Sequence, residues 1–226
     1  MKQLPLRFRL PAHAVFDSFA IGANTEIVAA LNDPRATPLW LWGARGCGKT
    51  HLLQATCAAA AGAYFSLDPS LRLPPEALPG FEQAPVLCVD DVDKIAGVEA
   101  WESALFQVFN AAAELSTKLV FAAELAPRQI EWQLEDWRSR AGACVVYQIQ
   151  ELDDAGRSEA LRLRAAQRGL NLPPETSDYL LKRMPRDLPS LCKILDELDE
   201  ASLVAQRRLT IPFIRDALER HAETKS

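Results

Sequence analysis

The eight residues Gly43-Ala44-Arg45-Gly46-Cys47-Gly48-Lys49-Thr50 form a G-x-x-x-x-G-K-T string, and no other feature constrains the fold as strongly. Glycines let the backbone wind tightly, so that successive N–H groups and the start of the following helix converge on a phosphate. Lys49 adds a point charge at the outer phosphates, and the Thr50 hydroxyl can hold Mg²⁺. The surroundings agree. Leu39-Trp40-Leu41-Trp42, just before the string, is an apolar run too short for a buried helix and suited to a strand covered on both faces, while His51 to Ala61 reads as a helix. The expected cofactor-binding set is Gly43, Ala44, Arg45, Gly46, Cys47, Gly48, Lys49, Thr50 and His51, with His51 itself a packed or surface residue rather than a catalytic one.

A second apolar strand, Val86 to Val89, ends in Asp90-Asp91. Parallel-sheet folds place ligand groups at such strand ends, so Asp90 joins Thr50 as the expected magnesium set, and Asp91 is the candidate to orient an attacking water. The alternative is that one of the two carboxylates caps the following turn. Asp93 reads as a solvated or capping residue, with Lys94 as its partner. Trp101 to Leu115 recurs at three- and four-residue steps as a helix. Leu119 to Ala123 and Cys144 to Gln150 follow as third and fourth strands with a helix between them. Strands alternating with helices indicate an α/β core with a parallel sheet.

After Gln150 the pattern is helical only. Asp154 to Arg168, Glu175 to Met184, Leu191 to Arg207 and Ile211 to Ala222 are separated by glycine and proline signals. Three regions are expected: an extended tail at 1–15, an α/β domain at 16–150 and an α-helical domain at 151–226. Up to Gln150 there are 12 basic and 16 acidic residues, and after it 13 and 14. Neither part is cationic, which argues against direct, tight binding to nucleic acid. The five cysteines, Cys47, Cys57, Cys88, Cys144 and Cys192, show no C-x-x-C spacing and read as reduced thiols. No apolar stretch is long enough to span a bilayer, and the start of the chain lacks the apolar core of a signal peptide, so a cytoplasmic protein without a membrane partner is expected.

Several short strings occur in a fixed order: Phe16-Asp17-Ser18-Phe19 with Gly22 and Asn24, Gly48-Lys49-Thr50-His51-Leu52-Leu53, Asp90-Asp91 before Ile95-Ala96-Gly97, Phe109-Asn110, Ser139-Arg140, and Leu209-Thr210-Ile211-Pro212-Phe213. Together, over residues 16–220, they resemble the AAA+ module of the DnaA family of bacterial replication initiators. The resemblance implies an AAA+ P-loop NTPase core with a parallel sheet, followed by a small all-α helical lid. It implies ADP (or ATP) with Mg²⁺ as cofactors, and Arg140 as an arginine finger acting in trans, with Arg138 as the fallback.

DnaA proteins also carry a C-terminal domain that reads origin boxes and an N-terminal oligomerisation domain, and this chain is expected to have neither. Its start, Gln3-Leu4-Pro5-Leu6-Arg7-Phe8, is similar instead to peptides that dock on the sliding clamp of DNA polymerase III, with Gln3, Leu4, Leu6 and Phe8 as anchors. A tail without such a role is the alternative. The implied protein is a negative regulator of replication initiation. Bound to ADP and held on a DNA-loaded clamp, it stimulates ATP hydrolysis by DnaA, touches DNA only through the clamp, and is a possible homo-oligomer. The alternatives are a self-hydrolysing ATPase of helicase-loader type and a structural clamp-binding protein with vestigial nucleotide binding.

Two positions depart from the family pattern. The third strand ends in Phe121-Ala122-Ala123-Glu124 where a hydroxyl-bearing sensor is usual, and the lid arginine falls on Pro189, with Arg186 the nearest substitute. Both departures disfavour efficient self-hydrolysis. Neither touches diphosphate binding by the loop.

Overall fold

Trp40 and Leu41 retain no exposed surface, as their place in the middle of a covered sheet requires. The computed structural model describes residues 14–35, 37–185, 187–205 and 209–216. Strand β1 (Leu39–Trp42) pairs in parallel with β4 (Lys118–Ala123) on one side and β5 (Val145–Gln148) on the other. Strands β3 (Val86–Asp90) and β2 (Ala63–Ser66) extend the sheet, giving the order β2-β3-β4-β1-β5. Every residue of β3 and β4 is buried, which explains why these strands read as continuous apolar runs rather than as alternation.

Parallel neighbours require crossovers. Helix α2 (Lys49–Ala60) links β1 to β2, α3 (Glu99–Leu115) links β3 to β4, and α4 (Glu135–Gly142) links β4 to β5, while α1 (Thr25–Asn32) precedes the sheet. The core between α3, α4 and the sheet is aromatic. Phe121 packs edge-on against Trp137 and stacks with Phe109.

Two polar devices fasten α1. Lys118 is buried, and its ammonium donates to the carbonyl oxygens of Ala30, Leu31 and Asp33 at 2.8, 2.7 and 2.5 Å. A cation thus satisfies the orphan carbonyls at the negative end of the helix, and burial draws its pKa down. At the other end of α1, Asn24 Nδ2 donates to the Gln150 carbonyl oxygen at 3.1 Å, and Asn24 Oδ1 accepts the Gln150 N–H at 2.8 Å.

The chain divides into two compact units, one holding residues 24–150 with the segment through Phe16, the other holding residue 151 onward with Asp17–Ala23. In the second unit, α5 (Asp154–Gln167), α6 (Pro174–Arg183) and α7 (Leu188–Ala205) enclose a core of Leu161, Leu180 and Leu195, to which Phe213 and Ile214 of a helical turn at 211–216 contribute. Asp153 caps α5 by accepting the Gly156 N–H at 2.8 Å. Asp196 on α7 pairs with Arg164 of α5 and with Arg168, just past the end of that helix, at 3.0 and 2.9 Å. Among the described residues, no helix is long and apolar enough to cross a membrane.

The sequence reading contains four strands and the structure five. The additional one, β2, follows α2 after the turn at Gly62. It is a four-residue strand at the edge of the sheet, Ala-Tyr-Phe-Ser, too short to show a period of its own.

Candidate functional site

Strand β1 runs into the glycine string, and α2 begins at Lys49, two residues ahead of the expected start at His51. The loop passes directly into the helix because Gly48, immediately before it, has φ 100°, a left-handed backbone that side chains disfavour. Gly43 is constrained by space: a Cβ there would lie 3.1 Å from both Cys47 Sγ and the Ile149 carbonyl oxygen. No side chain caps α2, so the positive end of its dipole faces the loop, the arrangement that binds anions.

Lys49 is only 9% exposed. Its ammonium donates to the Gly43 and Ala44 carbonyl oxygens at 2.6 and 2.9 Å and reaches within 3.9 Å of Cys47 Sγ. The side chain therefore lies along the loop it serves, while Arg45 is exposed. The ring Nε2 of His51 lies 3.0 Å from the Val15 carbonyl oxygen, a contact that anchors the segment leading to α1 and suits a packing role.

Forty residues apart in sequence, Thr50 and Asp90 meet: Thr50 Oγ1 donates to Asp90 Oδ2 at 2.6 Å. Asp90 is almost fully buried at the end of β3, and its Oδ1 accepts the Asp91 N–H at 3.0 Å. A hydroxyl and a carboxylate are hard oxygen donors that fit Mg²⁺, an ion held by one or two protein oxygens together with phosphate and water. Among the described residues, no cluster of three or more His, Cys, Asp or Glu offers a self-sufficient metal cage.

Tyr64, on the strand missing from the sequence reading, adds a third member. Its hydroxyl donates to the same Asp90 Oδ2 at 2.9 Å, and burial together with the Asp90 charge pushes the phenol well above its ordinary pKa. The register Phe65↔Val89 and Ser66↔Asp90 brings this strand end beside the acidic pair. The signal in the sequence was the aromatic pair Tyr64-Phe65 just after Gly62.

Asp91 adopts a left-handed backbone, φ 60°, and accepts from Ser66 Oγ at 3.4 Å. Burial, then the neighbouring Asp90, raises its carboxyl pKa. Asp93 lies 3.7 Å from Lys94 and accepts the Glu124 N–H at 3.3 Å. Lys94 also donates to Glu124 Oε1 at 2.9 Å. That bond first, and the charges of Lys49 and Arg45 with it, hold the Glu124 carboxyl below its usual range. Glu124 thus ends β4 within the field of the loop's cations, where the family pattern has a hydroxyl.

Arg140 lies in the last turn of α4 and is exposed. Its guanidinium sits over the rings of Phe106 and Phe109, 5.9 and 5.7 Å from their centroids, and makes no ion pair among the described residues. Arg138, two residues earlier, is paired with Glu135. Pro189 occupies the first turn of α7, exposed and uncharged, and the Arg183 guanidinium rests 4.9 Å over Tyr179. The expected clamp anchors Gln3, Leu4, Leu6 and Phe8 lie outside the described residues, as does Arg186.

A five-stranded parallel sheet with a phosphate loop after β1, an acidic pair after β3 and a helical second unit defines an AAA+ P-loop protein. Residues 154–218 match the family model described as Hda, lid domain. Domain III of the Thermotoga maritima replication initiation protein DnaA superposes with a TM-score of 0.77 at 19% identity, covering 93% of this chain and 97% of that one. A DnaA structure with AMPPCP and single-stranded DNA gives a TM-score of 0.64 at 25% identity over 83% of this chain, which spans 66% of that initiator. The Thermotoga maritima RuvB Holliday junction branch migration motor shares the fold, with a TM-score of 0.61 at 14% identity over 86% of this chain and 68% of its own. The helical unit thus matches the lid of the Hda family, and the chain has the AAA+ fold seen in domain III of DnaA.

Proposed function

We propose that this protein is a negative regulator of replication initiation that acts on DnaA in trans. It holds ADP with Mg²⁺ in the Gly43–Thr50 loop and docks on the sliding clamp through Gln3, Leu4, Leu6 and Phe8. Arg140 then reaches the ATP of a DnaA partner. The observation that carries this reading is the state of Arg140: exposed, held over two aromatic rings and without a carboxylate partner among the described residues, while Arg138 is occupied by Glu135. A guanidinium left in that condition is available to stabilise charge on a phosphoryl group in transfer, an effect of roughly 10³ to 10⁵ in rate when a partner supplies it.

The nucleotide site supports a binding role. The Lys49 ammonium can exchange its two loop carbonyls for phosphate oxygens without moving to another part of the fold. Thr50 and Asp90 would hold magnesium, which when bound would supply neutralisation of phosphate charge. Glu124 adds negative charge near the loop, so a diphosphate suits the site better than a triphosphate poised for hydrolysis. A self-hydrolysing loader-type ATPase is the second reading, favoured by the direct Thr50–Asp90 contact.

The deciding experiment measures ATP hydrolysis by DnaA with this protein, the sliding clamp and DNA, each omitted in turn. Hydrolysis that requires all of them supports the trans-acting regulator. ATP turnover by this protein alone, stimulated by DNA without the clamp, selects the loader.

A further inference from the structure

Glu102 is an acidic residue with no exposed surface, in the first turn of α3. Its carboxylate accepts three backbone N–H groups from two separate segments. Oε1 takes the Gly97 N–H at 2.8 Å and the Gln133 N–H at 3.2 Å, and Oε2 takes the Leu134 N–H at 2.6 Å. Three donors offset the cost of burying the group. Gly97 belongs to the segment that follows Asp90-Asp91. Leu134 immediately precedes α4, a helix with no side-chain cap of its own.

Glu102, Phe106 and Phe109 stand at positions i, i+4 and i+7 and so share one stripe of α3. The first member holds the start of α4, and the other two lie beneath the Arg140 guanidinium near its end. Phe109 also packs edge-on against Trp137, in the first turn of α4, at 6.4 Å. One helix stripe therefore grips the arginine-bearing helix at its start and near its end. Through Gly97, the same carboxylate reaches the loop behind the acidic pair.

We infer that Glu102 is the positioning residue for Arg140, fixing α4 to the acidic-pair loop so that the guanidinium is presented at a set height and direction. The consequence for rate rests on the proposed role of Arg140; the mechanical link does not. Transition-state stabilisation tolerates little displacement, and a shift of about 1 Å can cost about 100-fold.

The test is Glu102→Gln in the full-length protein. The variant keeps the shape and replaces one oxygen with an amide nitrogen that cannot accept, so at least one of the three N–H groups loses its partner. Amide hydrogen exchange by mass spectrometry, the maximal stimulated rate of DnaA ATP hydrolysis and the half-saturating concentration are measured together. The expected result is exchange at least about tenfold faster in residues 131–142, unchanged exchange in α2, and a maximal rate about 10 to 100 times lower at an unchanged half-saturating concentration. An unaltered maximal rate, or faster exchange spread equally over α2 and α4, overturns the assignment. Should the parent protein fail to stimulate DnaA at all, it is the Arg140 reading that falls. Exchange confined to 131–142 then still upholds the link, and its absence overturns it. If Glu102→Gln does not fold, Phe106→Leu probes the same platform from the other end: a several-fold drop in maximal rate with ADP affinity retained is expected, and an unchanged rate overturns the platform.

Discussion

The Tyr64 hydroxyl donates to Asp90 Oδ2 at 2.9 Å, so the edge strand of the sheet reaches the carboxylate expected to serve magnesium. Thr50 donates to the same oxygen, and Asp90 is shielded from water. Removing one donor from a buried carboxylate leaves it under-bonded, at a cost of about 1–2 kcal/mol. Tyr64→Phe should therefore lower Tm by about 2–8 °C for a chain of this size. Thermal unfolding followed by circular dichroism checks this, and a melting temperature equal to the parent's contradicts it.

Arg140→Ala and Arg138→Ala should separate cleanly. The first removes the guanidinium that stands over Phe106 and Phe109, and stimulated DnaA hydrolysis should fall by about 10³ or to background. The second breaks an exposed pair with Glu135, worth about 0–1 kcal/mol, and should leave stimulation near the parent level. Single-turnover hydrolysis of labelled ATP by DnaA distinguishes them, and equal losses would show that the two arginines do not differ in role.

Asp91 gives stability a dependence on pH. Its folded carboxyl titrates above the ordinary value because it is partly buried beside Asp90. As pH rises past about 4, the unfolded chain ionises first, so the folded state holds the extra proton. Stability contributed by this group therefore falls from the unfolded pKa through the folded one and stays reduced above it. Asp91→Asn removes the penalty and keeps a residue that tolerates φ 60°. The variant should melt higher than the parent at pH 7 and equal to it below about pH 4. A difference independent of pH would assign the effect elsewhere.

Glu124→Thr restores a hydroxyl at the end of β4 and releases Lys94 from its pair. With one negative charge fewer near Lys49 and Arg45, affinity for a non-hydrolysable triphosphate should rise about 3- to 10-fold relative to ADP. Calorimetric titration of both nucleotides measures the ratio. A ratio equal to the parent's would show that Glu124 does not discriminate between them.

The phosphate loop was legible because its chemistry dictates residue types at fixed spacing, and Leu39–Trp42 because a strand buried on both faces must be apolar throughout. The parallel AAA+ sheet and the helical lid followed from strand and helix alternation and from the ordered motifs. Tyr64 was not legible, since it lies on a four-residue edge strand whose identity depends on pairing with β3. Glu102 was not legible, although it shares a helical stripe with Phe106 and Phe109. Its partners are backbone N–H groups up to 32 positions away, and side-chain spacing carries no information about those.

The paired hydrogen bonds between Asn24 and Gln150 tie together two residues 126 positions apart. Everything between them, the whole parallel sheet with its crossovers, is a loop closed by a single amide side chain. Pulled from those two points in a single-molecule stretching experiment, the α/β unit would carry the load first on that knot, and Asn24→Ala would move the first rupture into the sheet.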